Sequence, residues 1–142
     1  MRNGTFSNSL EEWAEAALLV EWITNKSILP LSSISDLINS HEYIGALSDF
    51  TGEIGRLAVA RASQRDFDAV STIQGVDSAI ACGLMQCNVG GRYNKKVEAV
   101  LTNYKKVEDV VYELSLLQRG GKALKRDVQP VASGGGDDDN NE

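Results

Sequence analysis

Apolar positions along the chain recur at the three-to-four-residue spacing of helices, and strand-like alternation is missing. Ser9 is placed to cap a helix from Leu10 to about Asn25–Lys26, with Trp13, Ala17, Val20 and Trp22 or Ile23 as its apolar faces. Pro30 biases Leu29 away from the helical region, so this helix should stop before it. A short helix is expected over about 33–39, capped by Ser32 or Ser33. The next pattern, Tyr43, Ile44, Leu47, Phe50, Ile54, Leu57 and Val59, predicts a helix over about 41–62. Asp66 can cap a fourth, over about 67–87, and residues 88–91 (NVGG) break the pattern. The last run, from Val97 to Leu117, predicts a long helix over about 92–119 that Gly120–Gly121 should end.

The expected fold is therefore all-α: an antiparallel bundle of four long helices and one short one. Residues 1–121 form the helical domain. Residues 122–142, with their Gly run followed by Asp137, Asp138, Asp139 and Glu142, have the composition of a disordered acidic tail. Gly45, Gly52 and Gly55 fall inside the third helix at about 1 kcal/mol each in propensity, which suggests close approach of a neighbour.

Composition narrows the chemistry. The chain has 142 residues, 42% of them hydrophobic, enough for one domain with a core. No apolar run approaches the roughly 18 residues that span a bilayer, and the N-terminus has no apolar signal core. The single histidine, His41, argues against His-based acid–base chemistry, and it is read as the start of a helix. Two cysteines, Cys82 and Cys87, are too few for a disulfide framework and are read as packing residues in a reduced compartment. The formal net charge of −6 opposes nucleic-acid binding, yet Arg92, Lys95, Lys96, Lys105 and Lys106 face only Glu98 within 92–106, leaving a local basic face.

Two acidic pairs stand out. Glu12 and Glu15 are spaced i,i+3 and Asp49 and Glu53 i,i+4, so each pair shares a helix face with Cβ atoms roughly 5–6 Å apart. Four carboxylates from two adjacent helices would make a hard-oxygen site for Mg²⁺ or Mn²⁺. Plainer readings stand beside this one. Glu12 and Glu15 serve as acids near a helix start that favour the dipole and face water; Arg56 simply pairs with Glu53; and the lysines are a solvated surface.

Three runs carry a resemblance. YIGALSDFTGEIGRLAV at 43–59 is similar to the signature helix of the TRAX (translin-associated factor X) branch of the translin family. LEEWAEA at 10–16 resembles that branch's earlier acidic helix, and YKKVEDVVYELS at 104–115 the final helix shared across the family. The resemblance implies an α-helical subunit that assembles with translin into a hollow hetero-oligomer. It implies a Mg²⁺-dependent endoribonuclease site cutting single-stranded or nicked small RNA, in small-RNA silencing or tRNA processing. The family's catalytic, metal-binding acids fall on Glu12, Glu15, Asp49 and Glu53; Arg56, Lys95 and Lys96 are the candidate nucleic-acid contacts. A cytoplasmic or nuclear location follows, with single-stranded DNA a further ligand. Family members have seven helices, so the two N-terminal ones are expected to be missing. The alternatives are a non-catalytic nucleic-acid-binding subunit of the translin kind, and a helical scaffold that binds only protein.

Overall fold

The computed structural model describes residues 4–87 and 91–127. Five helices account for nearly all of them: α1 (Gly4–Asn25), α2 (Leu31–Ile34), α3 (Ser40–Ser63), α4 (Phe67–Gln86) and α5 (Asn94–Asp127), with a 3₁₀ turn over Gly91–Tyr93. The all-α bundle of four long helices and one short helix is as expected.

Each helix contributes one apolar stripe to a shared core. Ala14, Leu18 and Trp22 do so from α1, and Leu47, Phe50, Ile54 and Ala58 from α3. Val70, Ile73, Ile80 and Leu84 come from α4, and Val100, Val107 and Leu114 from α5. Phe50 is completely buried at the centre, worth about 1.5–3 kcal/mol in transfer from water.

Direction is where the bundle departs from the expected arrangement. The α3–α4 link is tight, and Tyr104 on α5 lies beside Ser78 of α4, so both of these neighbouring pairs run antiparallel. By contrast α1 and α3 run side by side in the same direction. Ser7 Oγ donates to Glu42 Oε1 (3.1 Å), Glu11 meets Gly45, and Trp22 shares a cavity with Leu57 and Arg61. The chain achieves this because residues 26–39 travel back along the bundle before α3 starts. Tyr43 pins that return by donating its hydroxyl to the Leu29 carbonyl (2.7 Å). Asn39 then opens α3 with a capping box: its side chain accepts from the Glu42 amide (2.9 Å), and its own amide donates to Glu42 Oε2 (2.9 Å).

Several local expectations give way. Helix α1 begins at Gly4 rather than Leu10. Because its stripe against α3 is Ala14–Leu18–Trp22, Trp13 and Val20 are left exposed, as are Val59 on α3 and Leu117 on α5. Cys82 and Cys87 are exposed free thiols, outside the register of Ile80 and Leu84, and do not pack in the core. Helix α2 spans Leu31–Ile34 after Pro30, with no side-chain cap. Helix α5 runs through Gly120, which does not adopt the left-handed conformation a glycine cap requires, so residues 122–127 are helical. The acidic end of the expected tail, from 128 on, lies outside the described residues.

Candidate functional site

The parallel register of α1 and α3 sets the acids opposite one another. Glu12 and Glu15 sit more than two turns inside α1, too deep to be explained as first-turn acids favouring the dipole. Glu12 and Asp49 are exposed; Glu15 and Glu53 are half-buried. The Glu15 carboxyl is pushed above the usual range, first by burial, then by the negative charges of Asp49 and Glu53; Arg56 opposes the rise and Glu12 adds slightly to it. Glu15 therefore feels Asp49 and Glu53 across the α1–α3 groove.

Arg56, largely exposed, grips Glu53 through both Nε and a terminal nitrogen, so the expected ion pair is present. Among the described residues, no three His, Cys, Asp or Glu side chains are placed to hold one ion together. The acids stand at electrostatic rather than coordination range in this conformation. Their chemistry nevertheless fits a hard divalent cation. All are oxygen donors, and Glu15, raised first by burial, is raised further by the facing charges of Asp49 and Glu53.

Beneath the cluster lies a device the sequence did not single out. Glu11 carries a half-buried carboxylate that rests on the backbone of Gly45, and Lys96 reaches across from α5 to pair with it (3.5 Å). Of the three inner glycines of α3, Gly45 is the one whose neighbour leaves no room for a Cβ; Gly52 and Gly55 have ordinary contacts with Asn103 and Val107. Lys96 is thus occupied by Glu11, while Lys95 remains exposed. Lys106 shares a small cavity with Arg56, Gly52, Gly55 and Asn103, which brings a second cation beside the acidic groove. Only the parallel packing of α3 on α5 creates that pairing, and spacing along the chain carries no signal of it.

Two further groups are buried away from the groove. Asp77 is fully buried in the apolar stripe of α4; neither carboxyl oxygen has a hydrogen-bond partner, and burial pushes its pKa up to about 7. Its place between Ile73 and Ile80 in the stripe was the available signal. His41, the second residue of α3, stacks at a tilt on Tyr93 (centroids 5.3 Å apart) and lies with the Gly45 end of the helix, away from Glu53.

No helix is long and apolar enough to cross a membrane among the described residues. A search of curated proteins returns no match. The sequence model of the translin family matches residues 3–118, which takes in all four acids, Arg56 and the basic stretch of α5. The match covers most of the chain, and the chain belongs to the translin family.

Proposed function

We propose that this chain is a TRAX-like catalytic subunit: a divalent-metal-dependent endoribonuclease that works in a hetero-oligomer with translin on single-stranded RNA. The observation that supports this reading is the half-buried carboxyl of Glu15 on α1, raised first by burial and then by the facing charges of Asp49 and Glu53 on α3. Like charges gathered this way destabilise an apo protein and are accounted for by a cation. A surface made only to hold a phosphate backbone would present cations instead.

The four carboxylates would hold Mg²⁺ or Mn²⁺, which when bound lowers the pKa of water and stabilises charge on a phosphodiester. One of the four, through a carboxylate oxygen not engaged with the ion, would accept a proton from the attacking water. Arg56 is exposed beside the groove, and a strand phosphate would compete with Glu53 for its guanidinium. Lys95 and Lys106 extend the positive surface along α5. Association with translin is supported by Phe6, Trp13 and Val20, which repeat every seven residues and form an exposed apolar stripe on α1.

A non-catalytic RNA-binding subunit is the second reading, favoured by the Arg56–Glu53 pair and by the absence, among the described residues, of three acids around one point. Cleavage of labelled single-stranded RNA by the chain co-expressed with translin separates the two. Internal cuts that require Mg²⁺, stop with EDTA and vanish in Glu53→Ala establish the nuclease. Binding without cutting by an assembled complex establishes the other.

A further inference from the structure

A second cavity opens in the same groove, two turns of helix beyond the acids. Its volume is about 480 Å³, within the usual range of roughly 300–1,000 Å³ for small-molecule sites. The C-terminal ends of α1 and α3 and the start of α4 enclose it. Lys26 and Arg61 provide positive charge, Ile23, Leu57 and Ile73 an apolar wall, and Asp66 a single carboxylate.

The two cations are differently held. Lys26 lies over the Trp22 ring, 4.3 Å from its centroid, with no carboxylate in ion-pair reach among the described residues. Arg61 has only loose partners, Asp66 at 4.0 Å and Gln64 at 3.4 Å. Basic residues near helix C-termini favour the dipole, but that role requires no cavity between them. Lys26 (φ 55°), in the cavity wall, and Arg65 (φ 57°), next to Asp66 in the chain, are the two non-glycine residues with positive φ among those described, and each lies just past a helix end, where a left-handed residue commonly terminates the helix.

Register ties this cavity to the acids. Glu15 and Trp22 lie on one stripe of α1, at i and i+7, with Lys26 just past the end of that helix, and Glu53, Leu57 and Arg61 lie on the facing stripe of α3, at i, i+4 and i+8. Seven to eight residues of helix put the cavity about 10–12 Å along the groove from the acids.

We propose that this cavity is a nucleotide subsite. It takes a phosphate on Lys26 and Arg61 and lays the attached nucleoside against Ile23 and Leu57, a short way along the strand from the phosphodiester at the acids. Asp66 Oδ1 is taken by the Ala69 amide (3.2 Å), and Oδ2, held only loosely by Arg61, would turn to a ribose hydroxyl or an exocyclic amine once a phosphate engages that guanidinium. The inference rests on the nuclease reading above for the identity of the strand.

The test measures binding of a fluorescent single-stranded oligoribonucleotide to the full chain across a salt series, for wild type, Lys26→Gly and Arg61→Gln. Lys26→Gly suits the left-handed backbone there while removing the charge, so the fold is kept and thermal melting verifies it. The expected result is several-fold weaker binding in each variant, with the slope of log affinity against log salt reduced by about 0.7 per cation lost. Adenosine 5′-monophosphate, followed by Trp22 fluorescence in a Trp13→Phe background, distinguishes a free nucleotide from a strand. Strand binding unchanged in both variants overturns the proposal and leaves the nuclease reading intact, even if the mononucleotide binds. A wild-type chain that binds no RNA, alone or with translin, overturns both.

Discussion

The carboxylate of Glu11 lies so close to Gly45 that a Cβ there would stand 2.6 Å from its Cδ. This contact seats the flexible end of the Glu11 side chain on α3, one turn before the Glu15 that faces Asp49 and Glu53. Gly45→Ala should change stability by no more than about 1 kcal/mol: the gain of about 1 kcal/mol in helix propensity is offset by turning the Glu11 carboxylate aside and loosening its pair with Lys96, about 0.2–1 kcal/mol. In a Glu11→Ala background the same change should be stabilising by the full propensity gain. Urea denaturation of the four proteins in the cycle checks this, and additive effects would show that the contact carries no energy.

Asp77 gives the protein a pH response. Its carboxyl, ordinarily near 3.8, is raised to about 7 by burial alone, so no charged neighbour contributes. Between those values the folded state holds a proton that the unfolded state has released. Stability therefore falls as pH rises from about 4 to about 7, and is level above that. Asp77→Asn should remove this part of the pH slope, and Asp77→Leu should raise the melting temperature at pH 8. A wild-type profile with the same slope as Asp77→Asn would count against it.

Repulsion among the four acids makes a further forecast. Without divalent ions, Glu15→Gln should be neutral or stabilising by up to about 0.5 kcal/mol, because it removes a charge that its neighbours oppose. With Mn²⁺ or Mg²⁺ the order should reverse: the wild-type melting temperature rises with ion concentration, and that of the variant rises less. Calorimetric scans with and without EDTA measure both.

The Asn39 cap is the start signal for the helix that carries Asp49 and Glu53. Asn39→Ala removes the acceptor for the Glu42 amide and should cost about 1 kcal/mol. Ser7→Ala should cost less, since it removes a single donor to Glu42 at the end of α1. Midpoints from guanidinium titration would rank the two.

What was legible in the sequence was local. Asp66, Phe50 and the 3.6-residue pattern of α3 announced themselves, and the acids could be paired within each helix. The facing of one pair by the other was expected from adjacent helices and from the resemblance, but its geometry could not be read, because it depends on residues 26–39 carrying the chain back so that α1 and α3 are parallel. The same packing turned Trp13 and Val20 outward, while the packing of α5 on the other two helices seated Lys96 on Glu11 and brought Lys106 to Arg56. The start of α1 was misjudged because Thr5, Phe6 and Ser7 carry little helix propensity; the Ser7–Glu42 bond ties this turn to α3.

The return of the chain over residues 26–39 also leaves α1 as a terminal helix joined to the rest by a single long link. Its contact with α3 is long-range, 35 residues between Ser7 and Glu42. The site is thus divided between this terminal helix and α3. Undocking that helix would separate Glu12 and Glu15 from Asp49 and Glu53 while leaving the rest folded. In hydrogen exchange, amides of α1 should open at lower free energy than those around Phe50, and whatever holds α1 in place, whether metal, strand or neighbouring subunit, also assembles the site.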